Sequence, residues 1–168
     1  MYGHPVGMDR IDAIARKHDL KVIEDAAEVH GAEYLSGRGT PGEAWRRCGG
    51  MGHIATFSFF ANKAITTGEG GMVVTDDDGL AKRARSLRNL CFQPSRRFLH
   101  IEHGHQFRMT SLQASVGLRQ IGRMDQIMAR KRWAAEQYTR RLADLDSLQL
   151  PAQEAWARSV YWVYGLVL

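Results

Sequence analysis

Apolar positions along this chain change their period several times, and the changes divide it into elements. Met8, Ile11, Ile14 and Ala15 recur at helical spacing, so residues 8–19 read as an amphipathic helix. Lys21 to Glu24 is a short strand. Residues 35–53, opened by Ser36-Gly37-Arg38-Gly39-Thr40-Pro41-Gly42 and closed by Cys48-Gly49-Gly50-Met51-Gly52, read as a glycine-rich loop. Ile54 to Phe60 is the clearest strand, apolar on both faces as a covered sheet requires. Gly71 to Thr75 is another. Asp76-Asp77-Asp78 offers N-caps for a helix running to about Leu90. An irregular stretch, Cys91 to Phe107, precedes a helix over 110–121 that Thr110 or Ser111 can cap. A long helix follows over roughly 124–145, Pro151 marks a break, and Ser159 to Leu168 is strand-like.

Strands alternating with helices predict an α/β fold with a mainly parallel sheet. Only three or four strands are clear, and the apolar end at Leu168 carries no turn or polar residue. The chain therefore reads as part of a larger enzyme. Its 168 residues suffice for one core and part of a second. No stretch is long enough to span a bilayer. The N-terminus lacks a basic-then-apolar leader pattern, and Cys48 and Cys91 form no redox or metal motif. A reduced, cytoplasmic protein is the simplest expectation.

The net charge of +5 is unevenly spread: −4 over residues 1–80, +11 over 81–141 and −2 over 142–168. A basic centre can meet phosphates of a nucleotide or a nucleic acid. It equally describes solvated faces of two helices, since Lys82, Arg83, Arg85 and Arg88 recur at helical spacing. No aromatic residues interleave with them as a single-strand groove needs, so nucleic acid is not the expected partner.

Lysine is scarce, with 5 Lys against 18 Arg, which draws attention to Lys63. It follows the aromatic strand Thr56-Phe57-Ser58-Phe59-Phe60 and precedes Thr66-Thr67-Gly68-Glu69-Gly70-Gly71. A partly desolvated lysine can lose its proton and become a nucleophilic amine, which arginine cannot. Enzymes that use pyridoxal phosphate (PLP) hold their cofactor through such an amine. A surface lysine at a strand end is the plainer alternative. Asp25 ends its strand where open α/β sheets bind ligands, and, buried there, it suits a protonated ring nitrogen. With Glu28 it is equally a helix cap and capping-box acid. Ser58 shares a strand face with Thr56 and Phe60, and its hydroxyl needs a partner, either a ligand phosphate or the backbone. Gly68, Gly70 and Gly71 allow a tight turn nearby. His100, Glu102, His103 and His105 have the chemistry of zinc ligands but match no strong metal spacing, so no metal is expected. Met51, Met72, Met109, Met124 and Met128 read as packing residues.

Together these segments resemble the DegT/DnrJ/StrS-type sugar aminotransferases, PLP enzymes of fold type I. Val22-Ile23-Glu24-Asp25-Ala26-Ala27-Glu28-Val29-His30-Gly31-Ala32 resembles the family's cofactor-ring motif. Thr56 through Gly71 resembles its Schiff-base lysine motif, and Phe107 through Ala114 a third block near the subunit interface. Within the family the perosamine synthases are most similar, and Glu28 contributes to that impression. The resemblance implies a partial PLP-binding large domain over 1–120, then a linking helix and the start of a small domain over 121–168. It implies that Lys63 carries the cofactor and shuttles a proton, Asp25 holds the ring nitrogen, Glu28 lies near the ring hydroxyl and Ser58 binds the phosphate. Gln106 stands where relatives have an Asn that reaches the partner subunit's cofactor phosphate, and His53 where Asp is common. The implied reaction moves an amino group from glutamate, through PLP, to a keto-sugar nucleotide, in a homodimer when the chain is full length. Two other readings remain: a non-catalytic protein that pairs with a longer relative, and a basic phosphate- or nucleic-acid-binding domain.

Overall fold

A computed structural model describes all 168 residues. Helix α1 (Met8–Lys17) leads into β1 (Ile23–Asp25), then β2 (Glu33–Ser36), β3 (Ala44–Arg47), β4 (Ile54–Ser58) and β5 (Gly71–Val74). Helix α2 (Asp78–Arg88) precedes a hairpin of β6 (Phe92–Gln93) and β7 (Arg96–His100). Helices α3 (Ser111–Ile121) and α4 (Met124–Leu142) follow, and β8 (Ala157–Arg158) is the last strand.

The organising sheet has the order β1-β4-β5. Strand β1 runs parallel to β4, with Asp25 opposite Thr56, and Ala26 N–H extends the ladder by donating to the Thr56 carbonyl at 2.9 Å. Strand β5 returns antiparallel to β4, so one of the two pairings in this sheet is parallel. A second sheet, ordered β3-β2-β8, is antiparallel throughout. The 35–53 stretch is thus a β-hairpin and not a continuous loop. Its glycines mark only the turn between two four-residue strands and the turn before β4. The predicted irregular stretch after Cys91 likewise contains the β6–β7 hairpin.

Helix ends follow local chemistry. Asp77 caps α2 by accepting from Leu80 N–H at 2.9 Å. Thr110 caps α3 in a capping box completed by Gln113. Asp19, at φ 50°, turns the chain left-handed after α1 and stops that helix two residues earlier than its apolar period suggests. Helix α4 ends at Leu142, three residues short of the predicted end.

The strand-like C-terminal segment does not form a strand beyond β8. It wraps against the N-terminal tail: Gly3 carbonyl accepts from Val160 N–H at 3.1 Å and from Ser159 Oγ at 3.0 Å. Gly3, at φ +98°, is required there, because a Cβ would sit 2.8 Å from Trp162 N. Val167 contributes only an isolated bridge to Gln149.

Glu24 fixes the turn that delivers β4. Its carboxylate accepts from Gly49 N–H at 2.7 Å, Met51 N–H at 2.6 Å and Gly52 N–H. Gly49 is held at φ +87° against the Phe57 ring, with no room for a Cβ. Next to it, burial first and the Glu24 charge second push the Cys48 thiol up to about 12, so it stays a neutral packing group. Cys48 joins Ala32, Met128 and Val160 in the core, with Met51 and Met124 packed on its edge. Met72 departs from the packing expectation: β5 is an edge strand here, and Met72 is 45% exposed.

The chain exposes 11655 Å², whereas a compact monomer of this mass exposes about 8,300 Å² by the surface scaling of folded proteins. The excess includes apolar faces, with Val73 on β5 and Leu112, Val116 and Leu118 on α3 all exposed. No helix is long and apolar enough to cross a membrane.

Glu24→Gln removes the charge and turns an amide N–H toward backbone donors. The expected loss of unfolding free energy is about 2–3 kcal/mol, read from urea denaturation, since hydrogen bonds to a charged group carry about that much.

Candidate functional site

The loop between β4 and β5 carries Lys63. Phe59 anchors both of its ends: its N–H donates to Gly70 carbonyl at 2.8 Å, and its carbonyl accepts from Thr67 N–H at 2.9 Å and Thr66 Oγ1 at 3.1 Å. Helix α3 secures it from outside, where the Gln120 amide accepts from Thr66 N–H at 3.1 Å and donates to Thr66 carbonyl at 2.6 Å. Ile65 is buried beneath the loop. Gly70, at φ +151°, brings the chain within 2.5 Å of Thr67 Oγ1 at the position a Cβ would take. The glycine-rich turn thus serves the loop geometry that its composition predicts.

Lys63 is half-buried, and its Nζ lies 3.8 Å from the centroid of the Trp162 ring. No carboxylate pairs with it; the ion pairs of the chain are Arg47–Asp125, Arg83–Glu102 and Arg158–Glu33. Trp162 Nε1–H donates to Asn62 carbonyl at 2.9 Å, tying the indole to the residue before the lysine.

Asp25 and Ser58 lie at the carboxyl ends of the adjacent parallel strands β1 and β4. Asp25 is exposed rather than buried here, at the end of a strand that pairs on one side only. Its Oδ1 accepts from Ala27 N–H at 3.1 Å, and no helix follows; the segment continues through turns into β2. The helix-cap alternative for Asp25 and Glu28 is therefore removed. Ser58 Oγ accepts from Phe60 N–H at 3.3 Å and keeps its own hydrogen unassigned. Glu28 is half-buried and accepts from Tyr2 N–H at 2.8 Å.

Gln106 belongs to a different part of the surface. It is exposed, bridges Asn89, and accepts from Arg108 N–H and from Arg108 Nε at 2.9 Å. It shares no hydrogen bond with Asp25, Glu28, Ser58 or Lys63. His53 accepts from Val22 N–H at its Nδ1, 3.0 Å away, so a ring nitrogen does there what a carboxylate oxygen can do. In the histidine cluster, Glu102 is engaged by Arg83 and His100 Nδ1 lies 2.6 Å from Leu90 carbonyl.

His30 stands behind the lysine loop. It is 5% exposed, its ring lies 5.5 Å from that of Phe57 and 5.9 Å from that of Phe59, and neither ring nitrogen makes a hydrogen bond of full geometry, although the Ser58 backbone lies close enough to act on it. Burial lowers its pKa below the ordinary 6.5; the Ser58 backbone opposes this, and the Lys63 charge adds to it. His30, Cys48, Phe57, Phe59, Ile65 and Met124 line a cavity of about 320 Å³. It lies on the strand face carrying Phe57 and Phe59, opposite Ser58, and so is separate from the lysine site.

The sequence profile of the DegT/DnrJ/EryC1/StrS aminotransferase family matches residues 1–168. The chain belongs to this family. Among its relatives, the GDP-perosamine synthase of Caulobacter vibrioides is 43% identical over 100% of this chain and 43% of its own length. That of Escherichia coli O157:H7 is 35% identical over 99% of this chain and 43% of its own. The solved structure of S. venezuelae DesV in complex with a ketimine intermediate superposes with a TM-score of 0.87, at 33% identity over 99% of this chain and 42% of that one. This family member thus spans less than half the length of these relatives. The superposition establishes the fold type I, α/β architecture expected from the resemblance.

Two residues beside the lysine escape motif reasoning. His30 sits inside a quoted motif, but nothing local signals that its ring is buried behind β4. Trp162 lies about a hundred positions away, beyond the reach of any local pattern.

His30 gives a pH signature. A folded pKa below 6.5 means that only the unfolded chain gains the proton first, so this contribution to stability is full above 6.5 and is lost as pH falls through the folded value. The urea midpoint is expected to drop between about pH 7.5 and about pH 5, and His30→Leu is expected to flatten that dependence.

Proposed function

We propose that this chain carries the lysine-bearing part of a PLP-dependent aminotransferase that transfers an amino group from glutamate to a keto-sugar nucleotide. The observation that carries the reading is Lys63: a half-buried amine without a carboxylate partner, on a closed loop that starts at the carboxyl end of β4. Family membership supports it, as do relatives named for making perosamine.

The donor set fits the cofactor. A carboxylate with one oxygen free of protein donors, a hydroxyl with an uncommitted hydrogen and an unpaired amine occupy one end of the sheet. These answer a pyridinium N–H, a phosphate and an aldehyde, respectively. When bound, PLP supplies an electrophilic carbon for the lysine amine and a ring that withdraws electrons from the carbon being deprotonated.

Asp25 would hold the protonated ring nitrogen through its free Oδ2 and so sustain that withdrawal. Ser58 would donate its hydroxyl hydrogen to the phosphate while still accepting from Phe60 N–H. Glu28 would answer the ring hydroxyl. With PLP bound, Lys63 would hold the cofactor through Nζ and, when its amine is free, would take a proton at Nζ from the substrate carbon bonded to nitrogen and pass it to the carbon on the other side of that nitrogen. Buried Phe59 and Ile65 give the lysine loop an apolar backing. Gln106, exposed and bridged to Asn89, would serve the cofactor phosphate of the partner subunit in a homodimer. The +11 stretch over 81–141 favours an anionic substrate such as a nucleotide sugar.

Adding PLP to the chain is expected to produce a visible imine absorbance that borohydride reduction traps on Lys63 and that Lys63→Ala abolishes. An unchanged spectrum, or the same spectrum in Lys63→Ala, would sink the reading. A second reading is that the chain pairs with a longer relative, and the exposed apolar residues of α3 and β5 favour it. Size-exclusion chromatography separates the two. A stable species of the chain's own that binds PLP supports the first; assembly only on adding the longer relative, with no PLP uptake by the chain alone, supports the second.

A further inference from the structure

Lysine ammonium groups in proteins are normally answered by a carboxylate, a carbonyl or water. The Lys63 amine instead faces an aromatic ring that the chain takes trouble to place. Trp162 arrives from the C-terminal segment, and three independent features set its position. Tyr161, immediately before it, adopts φ 45°, a left-handed conformation that a bulky aromatic residue enters only under constraint. The backbone below is pinned by Gly3, whose missing Cβ lets Trp162 N approach and whose carbonyl holds Val160 and Ser159. Finally, the indole N–H is fixed to Asn62 carbonyl, and Trp162 carbonyl accepts from Lys131 Nζ at 3.4 Å. A ring fixed at both its edge and its backbone, with a cation 3.8 Å over its face, is a built cation–π contact.

We propose that Trp162 is a positioning residue for Lys63, a parking place that holds the ammonium over its π face whenever the lysine is not covalently engaged. The proposal rests on the reading of Lys63 as the cofactor-attaching amine and adds a residue to it. A lysine that is repeatedly attached and released needs a defined resting geometry. Without one, its four-carbon stem samples many rotamers and each reattachment pays that entropy again. The aromatic face supplies an attraction for the charged amine without neutralising it as a carboxylate would. Its hold is weak enough to release the amine for attack on a carbonyl.

The test uses competitive labelling of the cofactor-free chain with a lysine-selective reagent, read residue by residue by mass spectrometry. Lys17, Lys21 and Lys82, all exposed, serve as internal references. In Trp162→Leu the labelling of Lys63 relative to them is expected to rise about two- to fivefold, the scale of a cation–π contact at a partly exposed site. Trp162→Phe, which keeps a π face but loses the N–H bond to Asn62, is expected to hold most of the protection. Equal labelling in wild type and Trp162→Leu overturns the proposal, as does Trp162→Leu protecting Lys63 as well as Trp162→Phe. If Trp162→Leu does not fold, the Phe variant decides: Lys63 labelling as free as that of Lys17 and Lys82 there overturns the proposal. Addition of PLP to the same proteins separates the two claims. An imine on Lys63 with no change in labelling between variants refutes the role of Trp162 alone. The labelling difference without any imine refutes the cofactor reading and leaves the contact standing.

Discussion

The convergence of three backbone N–H groups on Glu24 is the constraint on which the rest of this arrangement depends. Those donors belong to a glycine-rich turn with no secondary structure of its own, and unpaired they would carry a desolvation cost that loosens the turn. Because the acceptor sits in β1 and the donors immediately precede β4, one carboxylate sets where the two strands begin relative to each other. The register that follows brings Asp25 level with Thr56, and Ser58 and the lysine loop emerge at the same end of the sheet. The residues gathered at one end of β4 are thus positioned by an acid at the other end of the neighbouring turn.

The same strand separates two environments. Toward one face, Phe57, Phe59 and a neutral His30 make an apolar backing; toward the other, Ser58 turns its hydroxyl. Such partition is a property of strand alternation, but its consequence is electrostatic. A histidine kept uncharged by burial adds no cation behind a lysine that itself lacks an anionic partner. Among protein groups the Lys63 amine is met by an aromatic face rather than a carboxylate, a weaker and more reversible stabiliser.

Much of this was legible in the sequence, and what was not has a physical reason. Helices α1 to α4 and strands β4 and β5 follow from apolar period and capping residues, which act over three or four positions. Asp25, Ser58 and Lys63 stand out in the sequence because each lies in a stretch whose residue types are unusual for its element, and the fold brings them to one end of the sheet. The β2–β3 hairpin was missed because four-residue strands bearing Trp45 and two arginines show no clean alternation, and their glycine-rich borders dominate the pattern. The exposure of Asp25 could not be read at all, since it depends on which strand lies beside β1. Trp162 was invisible for the same reason in a stronger form: its partner is remote in the chain, and long-range contacts such as the Gly3–Val160 closure bring the two together.

That closure has a kinetic consequence. The contact between Gly3 and Val160 joins residues far apart in sequence, so it belongs to the least local class of interaction, the slowest to form. During synthesis Lys63 and its loop emerge about a hundred residues before Trp162, which at ribosomal speed is a delay of about 5–20 s. Throughout that interval the amine has no ring to rest on and is open to any free aldehyde in its surroundings. The order of residues along the chain thus sets a window in which the lysine can form an imine with a sugar or another aldehyde before its resting place exists.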